Sequence, residues 1–389
     1  MRTIKLKRGK QGSLLRFHPW VFSGAIKQIE EGVEEGELVK ITSENGDFIA
    51  IGHYQQGSIA VRVLTFENES IDDGFWVRRL ASALQVRIAM GIADTPRNNT
   101  YRLVHGEGDM LPGLIIDVYD QTAVVQSHSV GMHLLRRAIA EQLVKVMDGR
   151  IANVFYKSEA TLSFVEPENG FLIGGSDVNT AVENGLTFHV DWLNGQKTGF
   201  FVDQRDNRAL VERYSRGRNV LNMFCYTGGF SVYAMRGGAR LVHSVDSSAK
   251  AIELTRRNVE LNFPGDARHE AYCDDAFKFL DGLDGSYDLI ILDPPAFAKH
   301  RGALHNALKG YTRLNNRAFE KIAKEGILFT FSCSQVVTKD QFRASVFTAA
   351  AQAHRRVRIL HQLHQPTDHP INIFHPEGEY LKGLVLYVE

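Results

Sequence analysis

Asn222-Met223-Phe224-Cys225-Tyr226-Thr227-Gly228-Gly229-Phe230 is the stretch on which the reading of the fold turns. It closes an apolar run, NVLNMF (219–224), and opens a helical pattern at about 229–236. Paired glycines at such a junction let the backbone approach a ligand closely. The stretch is not G-x-G-x-x-G and lacks the lysine of a P-loop, which disfavours a pyrophosphate cradle. It suits a nucleoside with a short zwitterionic tail. Further strands read at 241–246 (LVHSVD), about 268–273, 287–292 (YDLIIL) and 327–332 (ILFTFS). Helical patterns at about 248–262, 276–281, 305–324 and 339–353 separate them. This alternation predicts a parallel, doubly wound α/β sheet. The closing YLKGLVLYVE adds one more strand.

In open α/β sheets ligands bind beyond the carboxyl ends of the strands, so the residues there are the candidates. The second strand ends in Asp246, placed to accept hydrogen bonds from ribose hydroxyls, and the third in Cys273-Asp274-Asp275-Ala276, where a carboxylate can take an adenine amino group. The fourth ends in Asp293-Pro294-Pro295-Ala296-Phe297 and the fifth in Ser332-Cys333-Ser334. A lone aspartate after a strand is commonly a helix N-cap. Capping alone is a poor account of acids at successive strand ends.

Upstream, residues 2–66 read as a small β-rich unit, with Asn45-Gly46 as a hairpin turn between LVKIT (38–42) and DFIAIGHY (47–54). Helical spacing at 73–91 precedes strands over 101–129 and a second helix near 131–147. The polar, glycine-rich stretch 166–185 reads as a domain boundary. Beyond it Leu186, Phe188, Val190 and Trp192 alternate, and Asn194-Gly195 reads as a hairpin turn.

The chain has 389 residues with 45 Lys+Arg against 45 Asp+Glu, and that balance hides segregation. Residues 1–29 hold seven basic residues and no acid; 294–319 hold five and no acid; 266–293 hold eight acids. Local patches, not the sum, set the field a polyanion meets. Cys225, Cys273 and Cys333 have neither disulfide nor zinc spacing, so no metal is expected. The N-terminus has no secretory core and no apolar run approaches a membrane span, so a cytoplasmic protein without a membrane partner is expected.

The order NMFCYTGGF, SVD (244–246), DDAF (274–277), DPPAF (293–297) and FSCS (331–334) resembles the class I S-adenosylmethionine-dependent methyltransferases. Together with HPWVFSG (18–24), KTGFFVDQR (197–205) and the tail motif through PEGEYLKG (376–383), it is most similar to the methyltransferase I family of the ribosomal large subunit, which modifies cytosine at carbon 5. The resemblance covers nearly the whole chain. It implies a PUA-like RNA-binding domain at 1–70, a small α+β domain at 71–180 and a Rossmann-like methyltransferase domain at 181–389 with a seven-stranded, mostly parallel sheet. It implies S-adenosylmethionine as cofactor, with S-adenosylhomocysteine as product. The cofactor contacts expected are Gln204, Asn222, Phe224, Tyr226, Thr227, Gly228, Asp246, Ser247, Asp274, Asp275, Ala276 and Asp293. Asn222 stands where the wider superfamily carries an acid.

The same resemblance puts the chemistry on Cys333 and Asp293. Carbon 5 of cytosine is a weak nucleophile, and a thiolate adding to carbon 6 makes it enamine-like, which is nucleophilic catalysis. Asp293 is the candidate for holding the pyrimidine edge. Ala296 occupies the position where many cytosine-5 RNA methyltransferases carry a second cysteine, so a two-cysteine mechanism is not supported. Lys197, Arg205, Phe297, Lys299 and Arg301 are the candidate RNA contacts. The expected partner is 23S ribosomal RNA or a large-subunit assembly intermediate, with a homodimer open. Two other readings stand beside this one: methylation of an amino group or guanine ring nitrogen, and an RNA-binding protein whose methyltransferase domain is inactive.

Overall fold

Alternating strands such as Leu38–Thr42 have one apolar face that must be covered. In the computed structural model, which describes residues 1–93, 95–159, 161–162, 169–176 and 178–389, those of the first 66 residues pair into a six-stranded sheet. Its strands are β1 (Arg2–Leu6), β2 (Trp20–Phe22), β3 (Ile26–Ile29), β4 (Leu38–Thr42), β5 (Phe48–Tyr54) and β6 (Ile59–Thr65), in the order β2-β6-β5-β4-β1-β3. Ile4, Leu6, Val39, Ile41 and Val61 fill its core. Asn45-Gly46 turns β4 back onto antiparallel β5, with Gly46 at φ 97.

Asp72 caps α1 (Asp73–Ala89) by accepting from the Phe75 N–H. A five-stranded sheet follows: β7 (Thr100–His105), β8 (Leu114–Tyr119), β9 (Thr122–Ser127), β10 (Asn153–Lys157) and β11 (Asn169–Ile173), in reverse spatial order β11-β10-β9-β8-β7. The helix expected over 131–147 is two, α2 (Val130–Leu134) and α3 (Arg136–Met147), interrupted at Leu135. Phe75, Leu80, Ile139 and Leu143 from α1 and α3 share a core with Leu103, Ile116 and Val125 of the sheet.

The expected hairpin at Asn194-Gly195 is a misplacement. The left-handed pair typical of a two-residue connection is Asn184 (φ 51) and Gly185 (φ 79), between β12 (Thr180–Glu183) and β13 (Leu186–His189). Asn194-Gly195 instead sits in a local turn closed on Asp191, whose carboxylate accepts the Asn194 N–H at 2.9 Å and whose carbonyl accepts the Gly195 N–H at 2.8 Å. A hairpin needs a strand on both sides of its turn, and none follows residue 195 before the helix at 205. Of the boundary stretch 166–185, residues 166–168 and 177 lie outside the described residues.

From there helix and strand alternate: α4 (Arg205–Tyr214), β14 (Asn219–Met223), α5 (Gly229–Arg236), β15 (Leu241–Asp246), α6 (Ala249–Asn262), β16 (His269–Cys273), α7 (Ala276–Asp281), β17 (Leu289–Leu292), α8 (Leu304–Lys321), β18 (Gly326–Ser332), α9 (Lys339–Gln352), β19 (Val357–Leu363) and β20 (Lys382–Val388). The sheet runs β16-β15-β14-β17-β18-β20-β19. β14 to β18 are parallel, and β20 enters antiparallel between β18 and β19. The sequence reading missed β19: VRILHQL mixes polar and apolar residues, and as an edge strand it leaves most of its side chains out of the core. Among the described residues no helix is long and apolar enough to cross a membrane.

The chain divides into two compact units. One comprises Met1–Gly185, Val190–Val202 and Thr367–Gly378; the other comprises Leu186–His189, Asp203–Pro366 and Glu379–Glu389. A buried ionic cluster draws the 367–378 segment into the first unit. Arg87, fully enclosed, donates to both oxygens of Asp109 and, at 2.7 Å, to the Asp368 carbonyl. The Asp368 carboxylate accepts the Arg102 N–H at 2.9 Å, and buried His369 packs 4.9 Å from His105. Removing one partner of such a cluster leaves a charge without compensation. Replacing Arg87 by Met is expected to cost about 3–5 kcal/mol in a urea melt, by the usual penalty for a broken buried ion pair. A loss under about 1 kcal/mol would mean that the pair is a solvated contact.

Candidate active site

The loop after β14 holds three residues in the left-handed region, Phe224 (φ 59), Tyr226 (φ 47) and Gly228 (φ 75). The first two are non-glycine residues in a conformation costing roughly 1–3 kcal/mol each, a pattern that clusters at ligand clamps. α6 holds the loop in place. Thr255 Oγ1 donates to the Tyr226 carbonyl at 3.0 Å and Asn258 Nδ2 to the Thr227 carbonyl at 2.8 Å. A Cβ on Gly228 would stand 2.7 Å from Thr255 Cγ2, so glycine is required for both space and φ.

Asp246 serves this loop as well. Its Oδ2 accepts the Tyr226 N–H at 3.1 Å and its Oδ1 the Ser248 N–H at 2.9 Å. It is not the N-cap of α6; Ser248 is. Asp275 does cap its helix, accepting from the Phe277 and Lys278 N–H groups, ahead of Ala276 as the first residue of α7. Asp274 accepts the Asp275 N–H and pairs with Lys278 at 3.2 Å; those bonds hold its carboxyl below the usual range. Ser247 and Cys273 are exposed, and the Cys273 thiol reaches the Ser247 carbonyl at 3.5 Å. Cys225 is buried, its sulfur 3.4 Å from Thr255 Oγ1.

Asn222, expected as a cofactor contact, lies near the end of β14. It is fully enclosed, and its Nδ2 donates at 2.9 Å to Ser231 Oγ, which continues to Ser244 Oγ and His269 Nε2. The amide nitrogen thus ties α5 to the sheet, while Oδ1 has no partner among the described residues and stays available to accept a hydrogen bond. The remaining set fits a nucleoside cofactor: a strained backbone cradle, then carboxylates at successive strand ends to accept from hydroxyl and amino groups.

The pair expected to carry the chemistry stands two strands along. β17 and β18 pair in parallel with Leu292 opposite Thr330, so Asp293 and Cys333 emerge beyond the same edge of the sheet. Gln204, buried on the approach to α4, donates its Nε2 to Asp293 Oδ2 at 3.1 Å and accepts Asn207 Nδ2 at 2.6 Å. Burial pushes the Asp293 carboxyl up to about 7, the negative charge of Asp203 adds to the shift, and the Gln204 bond and Arg208 oppose it. Burial also drives the Cys333 thiol up to about 12, reinforced by the charges of Asp293 and Asp203. Cys333 is only partly covered.

Three partners of this pair escaped the sequence reading. Asp203 accepts the Tyr380 hydroxyl at 2.7 Å. Lys382, buried and opposite Ser332 across the sheet, donates at 2.6 Å to the Ser334 carbonyl and at 2.8 Å to that of Val337. Burial lowers its ammonium to about 8, and its charge opposes the rise at Cys333. Ser332 donates to the Tyr311 hydroxyl at 2.9 Å beneath the strand end. Asp203, Tyr380 and Lys382 lie inside the VDQR and EYLKG motifs, which was the available signal; the contact between those distant motifs was not.

The expected RNA contacts divide. Lys299 and Arg301 are exposed just past Asp293, and Lys197 is exposed in the other unit. Arg205 is 4% exposed, so it cannot serve as a surface phosphate contact. Phe297 turns its ring onto Tyr311, with centroids 4.7 Å apart, and against Gly310. That face is occupied by α8 and does not await an extruded base.

Two measurements test these electrostatics. The folded Asp293 carboxyl sits above its unfolded value, so its contribution to stability is complete below about pH 4 and is lost as pH rises through 7. Asp293→Asn is therefore expected to be more stable than the parent protein at pH 8, by on the order of 4 kcal/mol, with the gap closing toward pH 4. A pH-independent difference rejects the assignment. Site-resolved alkylation with iodoacetamide at pH 8 is expected to label exposed Cys273 first, with Cys333 lagging in the parent and accelerating in Asp293→Asn. Equal Cys333 rates in both proteins contradict the charge coupling.

Comparison with known proteins bears on the same residues. A model of S-adenosylmethionine-dependent methyltransferases matches residues 166–374, and a PUA-like domain model matches 4–66. The chain is 40% identical to the ribosomal RNA large subunit methyltransferase I of Tolumonas auensis, covering 99% of this chain and 98% of that protein. It is 39% identical to the protein of the same name from Alteromonas mediterranea, with the same two coverages. Among solved structures, one described as a SAM-dependent methyltransferase from Streptococcus mutans superposes over all of both chains with a TM-score of 0.85 at 22% identity, which speaks to fold alone. Both the α/β architecture and the dependence on S-adenosylmethionine follow, and the chain belongs to the ribosomal RNA large subunit methyltransferase I family.

Proposed function

We propose that the protein converts a cytosine of 23S ribosomal RNA, free or in a large-subunit assembly intermediate, to 5-methylcytidine through a covalent adduct at Cys333. The observation that carries this reading is the pairing of a reachable thiol with a half-buried, easily protonated carboxyl beyond neighbouring parallel strands. Transfer to a nitrogen needs a carboxyl or amide to hold the base and has no use for the thiol. In this reading residues 1–70 capture RNA, 71–180 form a connecting α+β domain, and 181–389 carry out the transfer.

A cytosine in a stack is out of reach, so it enters flipped or single-stranded. When bound, S-adenosylmethionine supplies an electrophilic methyl group to this site. The protein does the rest. Ionising Cys333 is hardest while Asp293 carries charge, so Asp293 enters protonated and gives its proton to N3 as the sulfur adds to C6. The Cys333 thiol gives up its proton to solvent water, which returns one to the sulfur after release, and Lys382 stabilises the sulfur's charge before addition. The new S–C6 bond sends the ring electrons to C5, the atom that would accept the methyl group from the bound cofactor. Asp203 is the carboxylate we assign to receive the C5 proton. The returning electron pair expels the Cys333 sulfur, and N3 gives its proton back to Asp293.

Cys333→Ala is expected to retain S-adenosylmethionine affinity in calorimetry and to lose methylation by at least 10³-fold. Asp203→Asn is expected to accumulate a protein–RNA adduct on a denaturing gel, because release follows proton removal. Mass mapping of ribosomal RNA from a deletion strain should show loss of one 5-methylcytidine. Unchanged turnover by Cys333→Ala, or loss of a methylated amine or guanine instead, rejects the reading.

A further inference from the structure

The segment after Asp293 carries cations at a regular spacing: Arg301, His305, Lys309 and Arg313 recur every fourth residue. On α8, four residues span about 6 Å of rise and slightly more than one turn, so the last three form one stripe along one face. All four are exposed, and none has a carboxylate partner among the described residues. Arg313 is pinned by its guanidinium lying 4.5 Å over the Phe277 ring. Arg317, one step further, is neutralised by Asp281 and Glu320 and marks the end of the free charge.

The stripe forms one wall of a groove. A cavity of about 730 Å³ runs between α8 and α9, with His305, Lys309 and Arg313 on one side. Gln341, Ser345 and Thr348 face them from α9. No acid and no Phe, Tyr or Trp lines it. Both helices follow parallel neighbouring strands, so both begin at the sheet edge where Asp293 and Cys333 emerge. The groove therefore has one end on the side of the sheet where Asp293 and Cys333 emerge, and it leads away from that side.

We propose that the α8–α9 groove holds the phosphodiester backbone of the RNA strand leaving the target nucleotide. This rests on the RNA methyltransferase reading above and adds a binding surface to it. Unpaired cations at even spacing, faced by amides and hydroxyls, contact phosphate and sugar oxygens. The lack of aromatic rings leaves bases unstacked there, so the contact is indifferent to sequence. It sets register and affinity while the strand ends choose the base.

The test uses the full chain carrying Lys309→Gln and Arg313→Gln, both exposed and outside the reacting set. Binding of a long 23S fragment is measured against salt. Single-strand phosphate contacts contribute about 0.7 each to the slope of log K against log salt, so the double variant should be shallower by about 1.4. At fixed salt its KM for the long fragment should rise at least five-fold with kcat unchanged. A minimal RNA with the target and a few neighbours should be methylated equally by both proteins. Unchanged melting temperature and S-adenosylmethionine affinity establish that the variant is folded. An unaltered slope and KM overturn the groove. So does a variant that binds RNA normally but loses affinity for a polyglutamate peptide, which would make the partner an acidic protein. The salt slope needs no turnover, so a parent enzyme that binds RNA but forms no 5-methylcytidine would fail the proposed reaction and leave the groove to be judged by its own measurement.

Discussion

The parallel register of β17 and β18 is the constraint on which the site depends. Leu292 and Thr330 stand opposite each other, and the next residues along each strand bring Asp293 and Cys333 beyond one edge. Backbone ladders between fully buried strands, LIIL and GILFTFS, hold that alignment. A slip by one residue would turn every side chain to the other face and separate the pair. The register thus sets a chemical distance with bonds that take no part in the chemistry.

That alignment crowds charge. Asp203, Asp293 and Cys333 cannot all be ionised in a partly desolvated pocket, and each negative charge raises the cost of the next. Gln204, Tyr380 and Lys382 relieve the crowding without removing it. A site with a neutral thiol and a carboxyl poised near neutrality is quiet at rest, which protects a reactive cysteine from adventitious alkylation or oxidation. In the reaction proposed above, substrate arrival changes the balance because a pyrimidine ring nitrogen takes the proton that Asp293 holds. The same physics acts in reverse at the loop after β14, where Asp246 uses its charge on backbone N–H groups to hold a strained cradle open.

Much of the methyltransferase half was legible from its residues. Buried strands such as YDLIIL are short apolar runs bounded by turn chemistry, and the helices between them have apolar stripes of the right length. Reading failed where pattern and packing compete. Asn194-Gly195 has the local preference for a hairpin, but only Asn184-Gly185 stands between two strands. β19 was missed because an edge strand buries little and so shows little alternation. Phe297 and Arg205 lie in the right motifs, yet packing against α8 covers a face of Phe297 and burial at the start of α4 takes Arg205 off the surface.

By itself the amino-acid sequence determined the alternation of elements, the acids and the cysteine at successive strand ends, and the segregation of charge behind a neutral sum, because each of these is local along the chain. Only the tertiary structure decided which distant motifs meet. Asp203 reaches Tyr380 across 177 positions, and Arg87 holds Asp368 across 281. The chain leaves the first unit and returns to it twice. Such contacts arise from desolvating charges that must then find partners, wherever in the chain those partners lie.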